Sequence, residues 1–321
     1  MTKVLITGGA GYLGSVITEL LLQDWREITI LDNMMYNQTS LINFSHYDNF
    51  KFINGDVRDR ELLKELVITH DVIIPLAAIV GFPACERDKE LATQINYEHV
   101  KFVCELAKEN NKKVVYPNTN SGYGIGENGV CTEDSPLNPI SHYGKTKVEA
   151  EKEVLGIGGI SLRLATVFGT SPRMRMDLLV NEFVYKALTD KSIVLFEKKF
   201  VRNFIHIRDV ALVFRKMINQ YEQWSGMVFN VGLSEANLTK EQLCEAIQEQ
   251  VPSFQIFYND NYEDPDKRDY IVSNELLESC GWRPRYTLEK GIEELIKTYT
   301  IMISNLSSNY RNDFPLGYGI K

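Results

Sequence analysis

The chain opens M-T-K-V-L-I-T-G-G-A-G-Y-L-G-S, Met1 to Ser15, and this stretch decides the fold. Val4, Leu5 and Ile6 form an uninterrupted apolar run, as expected of a strand buried on both faces. Val16, Ile17, Leu20 and Leu21 then recur at helical spacing. Between them lie Gly8, Gly11 and Gly14, with Tyr12 and Leu13 inside the turn. Glycines placed between strand and helix let backbone N–H groups approach an anion and let the helix pack close to the strand. The same spacing occurs in ordinary turns, so the context carries the weight.

That context follows directly. A second apolar run, Ile28 to Leu31, ends in Asp32 and Asn33, where a βαβ unit places a carboxylate on the adenosine ribose hydroxyls. An acid there repels a 2′-phosphate, which points to NAD rather than NADP. The competing reading, that Asp32 merely caps a loop, is weakened by the glycine turn upstream. Phe50 to Ile53 reads as a third strand running into Asn54-Gly55-Asp56-Val57. Asp56 either reaches the adenine or caps the helix carrying Leu62, Leu63 and Leu66.

Asp71 to Ala78 reads as a fourth strand, and its end at Leu76, Ala77 and Ala78 suits close approach of a dinucleotide. Leu91 to Lys108 has a helical pattern and Lys113 to Tyr116 that of a fifth strand. Strands and helices alternate without a hairpin. This predicts an α/β fold, a doubly wound parallel sheet with helices on both faces and ligands at the carboxyl ends of its strands.

Composition sets outer bounds. A chain of 321 residues accommodates one large domain and a smaller lobe. A net charge of −8 argues against a general nucleic-acid or anionic-membrane binder, so any anionic ligand must be met by local arginines. Cys85, Cys104, Cys131, Cys244 and Cys280 form no C-x-x-C pair and are odd in number, which fits a reducing compartment. No basic flank with a long apolar stretch opens the chain, and no apolar run is of membrane-spanning length, so a cytoplasmic location is expected. The five histidines show no ligand spacing, and no metal site is expected.

The fifth strand leads into Pro117-Asn118-Thr119-Asn120-Ser121-Gly122, whose polar side chains lie where a substrate would sit. Ser141-His142-Tyr143-Gly144-Lys145-Thr146-Lys147 then opens a helix with Tyr143 and Lys147 on one face. Tyrosine followed four residues later by lysine occurs four times here, at Tyr47, Tyr97, Tyr143 and Tyr286, so spacing alone says nothing. Only the Tyr143 pair follows a hydroxyl-bearing strand end. A phenol of pKa about 10 is a poor base, but an adjacent ammonium and a cationic nicotinamide favour the phenolate. Tyr143 can then take a proton from a sugar hydroxyl as hydride leaves the same carbon, with Thr119 bonded to the reacting oxygen.

With the glycine turn, Asp32, Thr119 and the Tyr143/Lys147 pair together, the chain resembles the extended short-chain dehydrogenase/reductases that act on nucleotide sugars. The resemblance spans essentially the whole sequence. It implies a Rossmann NAD-binding domain over residues 1–170 and a mainly nucleotide-sugar-binding lobe over 171–321, interleaved along the chain. It also implies a homodimer through the helices near 91–108 and 143–154. Arg202 in R-N-F-I-H-I-R-D-V and Arg268 in D-K-R-D-Y resemble the family's two diphosphate-holding arginines. Asn181 and Phe196 fall where it places a phosphate contact and a base-packing residue. Bidentate donors are what an acidic protein needs for a diphosphate. Arg173, Arg175 and Arg208 read equally well as surface salt bridges.

Departures from the family pattern narrow the reaction. Its 4,6-dehydratases carry Asp-Glu after the catalytic threonine, and its sugar-acid decarboxylases a glutamate; here the residues are Asn120 and Ser121. Thr166 stands where many 4-epimerases have asparagine. The runs I-I-P-L-A-A-I-V-G and L-A-T-V-F-G-T-S-P-R-M-R look most like bacterial GDP-heptose 4-dehydrogenases of capsule or surface-polysaccharide synthesis. The expectation is NAD-dependent oxidation of a GDP-linked sugar at C4. A 4-epimerase using the same residues, and a non-catalytic NAD-responsive regulator or scaffold, are the alternatives.

Overall fold

A computed structural model describes residues 1–259 and 269–302. The opening strand β1 (Lys3–Thr7) passes through the glycine turn into α1 (Tyr12–Gln23), β2 (Glu27–Asp32), β3 (Phe50–Asn54), α2 (Arg60–Thr69) and β4 (Val72–Pro75). Short helices α3 (Phe82–Arg87) and α4 (Lys89–Thr93) and one π-helical turn, Gln94–Glu98, lead into α5 (His99–Glu109) and β5 (Lys113–Thr119). After β6 (Ile125–Cys131) come α6 (His142–Gly156), β7 (Ile160–Leu164), β8 (Thr166–Phe168), α7 (Leu179–Thr189) and β9 (Ser192–Leu195). Next are β10 (Val201–His206), α8 (Ile207–Asn219), α9 (Tyr221–Trp224), β11 (Val228–Val231), β12 (Asn237–Thr239) and α10 (Lys240–Gln250). Last among the described residues come β13 (Gln255–Tyr258), β14 (Asp269–Val272), α11 (Glu275–Ser279) and α12 (Leu288–Met302).

Seven strands form one parallel sheet in the order β11-β7-β5-β4-β1-β2-β3. Alternate residues of β1 point to opposite faces, as the pleat requires. Val4 and Ile6 join the core with α1 and α8, while Leu5 joins the core with α2, α5 and α6. This is a Rossmann-like α/β fold, as the opening stretch predicts. The strand order reverses between β1 and β4, and a ligand crevice is expected there. β4 pairs with β5 only at Val72 and Ile73, so the two strands part toward their carboxyl ends. Pro117, which has no N–H to donate, sits where β5 has lost that neighbour and pairs only with β7.

The second lobe is built from small sheets: β10 between β8 and β12, β9 with β13, and β6 with β14. Helices α7, α10 and α12 pack together beside them. The structure adjusts three boundaries. β5 runs on to Thr119 because β7 continues to pair with it, and β4 stops at Pro75, leaving Leu76 to Ala78 as loop. The predicted 91–108 helix contains the π-helical turn at Gln94–Glu98. Residues 160–168 form two strands divided at Ala165, because β7 belongs to the large sheet and β8 pairs with β10 in the lobe. β11 closes the large sheet and α8 packs on α1, both from later in the chain, so the chain interleaves the two lobes across residue 170.

Candidate active site

The glycine turn is a close-packed one. Gly8 has φ +69°, and a Cβ there would lie 2.6 Å from the Ala77 backbone. A Cβ on Gly14 would lie 2.6 Å from Gly9 Cα, so α1 starts against the turn itself. Asp32, at the end of β2, is buried; its Oδ2 accepts from Ala10 N–H at 3.0 Å and its Oδ1 from Met34 N–H at 2.9 Å. Burial raises its carboxyl above the usual range, an effect these two amides oppose.

One cleft of about 860 Å³ connects this turn to the end of β5, large enough for a sizeable organic ligand. Gly8, Gly11, Tyr12, Leu13, Gly14, Asp32, Asn33, Val57, Leu76, Ala77 and Ala78 all line it. A side-chain-free turn, a carboxylate one strand away and small residues opposite form a cradle that fits a dinucleotide.

At the other end, Ser141 caps α6 by accepting from Gly144 N–H at 3.0 Å, which places Tyr143 in the first turn and Lys147 one turn on. Lys147 is 4% exposed, with Nζ 4.0 Å from the centre of the Tyr116 ring. Burial lowers its ammonium to about 7. Thr119 closes β5, donating from Oγ1 to Ser121 Oγ at 2.9 Å and accepting from Ser121 N–H at 3.1 Å. Thr119, Ser121, Tyr143 and Lys147 line the same cleft as the glycine turn.

Arg202 also lines the cleft, buried, on β10. Four expected contacts lie off it. Asn181 is fully buried: its Oδ1 accepts from Gly169 N–H, and its Nδ2 donates to Tyr12 Oη and the Arg175 carbonyl, so it braces the turn after β8 instead of meeting a phosphate. Asp56 is gripped by Arg58 through both oxygens, which holds its carboxyl down at about 2, and the cap of α2 is Asp59. Asn120 is 1% exposed within the turn after β5 and is not among the residues that line the cleft. Phe196 is off the cleft lining, and its carbonyl accepts from Lys240 Nζ at 3.1 Å. Arg268 lies outside the described residues. Arg208 pairs with Glu294 and Arg175 with Asp177, while Arg173 is buried in the cleft wall over the Tyr36 ring at 4.7 Å.

Two polar residues at or beneath the cleft, Lys240 and Asn96, escaped the sequence reading. Lys240, at the start of α10, is buried and lines the cleft. Asn118 lines it too; its Nδ2 donates to Glu151, and its Oδ1 has no partner among the described residues. Asn96, in the π-helical turn, holds the backbone of Ile79 by two bonds of 2.8 and 3.0 Å and so fixes the loop beneath Ala77 and Ala78. The signal available was a polar residue on an otherwise apolar helix face. Among the described residues no cluster of His, Cys, Asp or Glu could hold a metal ion, and no helix is long and apolar enough to cross a membrane.

A parallel sheet with a glycine turn at its switch point and a tyrosine–lysine helix across the cleft places this chain among the dinucleotide-binding α/β proteins. Residues 4–232 match the NAD dependent epimerase/dehydratase family, and the chain belongs to it. The Haloferax volcanii low-salt glycan biosynthesis protein Agl12 is 27% identical over 309 residues, covering 92% of this chain and 98% of that one. A putative UDP-glucose 4-epimerase of Methanocaldococcus jannaschii is 25% identical, covering 91% and 97%. Among solved structures, a UDP-N-acetylglucosamine 4-epimerase from Methanobrevibacter ruminantium aligns with TM-score 0.80 at 25% identity over 95% of this chain and 99% of that one. A dTDP-glucose 4,6-dehydratase from Bacillus anthracis in complex with NAD has the same TM-score and identity over 94% and 97%.

Proposed function

We propose that this protein oxidises a nucleotide sugar at C4, a GDP-heptose in our reading, to its 4-keto form with NAD, in the synthesis of a bacterial surface polysaccharide. The observation that carries the reading is one cleft lined at one end by the glycine turn and Asp32, at the other by Thr119, Tyr143 and Lys147, with Arg202 in its wall. Tyr143 takes the C4 hydroxyl proton. Lys147 supplies positive charge that favours the phenolate, and Thr119 orients the reacting oxygen. NAD, when bound, supplies the hydride acceptor. Asn120 and Ser121 offer no carboxyl group where elimination of water needs an acid and a base, which disfavours dehydration. Relatives named as 4-epimerases support a second reading, in which hydride returns to the other face of the same ketone.

Incubating the protein with NAD and GDP-heptose separates the two. A ketone lighter by two hydrogens, with matching NADH, is the expected product. An epimer of unchanged mass overturns oxidation in favour of epimerisation. Comparing the melting shifts given by GDP, UDP and dTDP tests the base, with GDP expected to give the largest.

A further inference from the structure

One turn beyond Lys147 on α6 lies Glu151, 3% exposed and off the cleft lining. Its Oε2 accepts from Asn118 Nδ2 and from Ser161 Oγ, each at 2.6 Å. Its Oε1 accepts from Arg163 Nη2 at 2.7 Å, and Arg163 Nε donates to the same carboxylate. Arg163 Nη1 in turn donates to Tyr123 Oη and the Glu133 carbonyl, both at 2.9 Å, and Tyr123 Oη donates to Asn230 Oδ1 at 2.7 Å. This buried ion pair therefore joins the helix that carries Tyr143 and Lys147 to β5 beside Thr119, to β7 and to β11. Buried ion pairs are weak sources of net stability, because desolvation offsets their attraction. Their geometric effect is the stronger one here.

We propose that Glu151 is a positioning residue of the active site: it locks the Thr119 strand end and the Tyr143–Lys147 helix into one frame and gives the buried Lys147 ammonium a compensating negative charge. The groups around Lys147 leave that role to a carboxylate. The Tyr116 ring faces it from β5, Cys85 from α3 and His99 from α5, with Tyr143 on its own helix. Burial holds Cys85 as a thiol, pushing it up to about 12, and holds His99 neutral by lowering it to about 4. Glu151, one helical turn away, contributes most among its neighbours to keeping the lysine charged, against the burial that lowers it.

The test reads Lys147 directly. Labelling by a small amine reagent is followed across pH at the Lys147 peptide by mass spectrometry, in wild type, Glu151→Gln and the double variant Glu151→Gln/Arg163→Met, which leaves no stranded arginine. The midpoint, expected at about 7 in the wild type, is expected to fall by about one pH unit in both variants, a roughly tenfold drop in the ratio of charged to neutral lysine at neutral pH. An unchanged or higher midpoint in a variant that still gives a melting shift with NAD overturns the proposal, since a purely structural carboxylate would leave the midpoint alone. The consequence for turnover rests on Tyr143 as the base. Retained turnover in Tyr143→Phe would overturn that reading and leave the Lys147 midpoint as a separate result.

Discussion

Tyr143 and Lys147 are the residues on which chemistry and stability pull in opposite directions. Under the proposed mechanism Tyr143→Phe removes the proton acceptor but little packing. Turnover is expected to fall by at least about 10²-fold with the melting temperature nearly unchanged, checked by steady-state assay and thermal melt. Lys147 is different, since its burial lowers the ammonium to about 7 against about 10.4 in an unfolded chain. Below pH 7 the native state must carry a desolvated charge; as pH rises through this window the unfolded chain holds the extra proton and stability increases. Lys147→Met should therefore abolish turnover yet raise stability of the cofactor-free protein, on the order of 2–4 kcal/mol near pH 6, with the gain shrinking toward pH 10. Melting curves across pH check it.

At the scale of elements, the glycine turn makes the sharpest demand. Gly8→Ala forces a side chain into a left-handed conformation and against the Ala77 backbone. We expect a loss of about 1–3 kcal/mol together with loss of the NAD-induced melting shift, read in one thermal series. Such a turn was legible in the sequence because local chemistry dictates it: glycines between an apolar run and a helical pattern, then an acid closing the next strand. The Tyr143 helix was legible only by position, since its pair spacing recurs elsewhere. The roles of Asn181, Asp56 and Asn120 were not legible, because polar side chains near a site serve it equally well as braces, and only three-dimensional partners tell these roles apart. Lys240 was missed because nothing local marks a buried polar group. Its burial comes from strands distant in sequence: β10 pairs with β12.

Over the whole molecule, β11 and α8 return from the second half of the chain to complete the first sheet. A fragment ending at residue 170 should therefore lack an edge strand and leave the α1 face uncovered, exposing Val16 and Ile17 among others. We expect such a fragment to show dye-accessible apolar surface and no cooperative melt; a sharp transition and retained NAD binding would contradict this.

The split at Ala165 carries that threading to its conclusion. Because a single peptide unit hands the backbone from one sheet to the other, the two walls of the cleft are not exchangeable cassettes. A descendant enzyme could not acquire a new sugar by borrowing another protein's lobe wholesale. It would have to change taste by replacing one side chain at a time around a frame inherited intact.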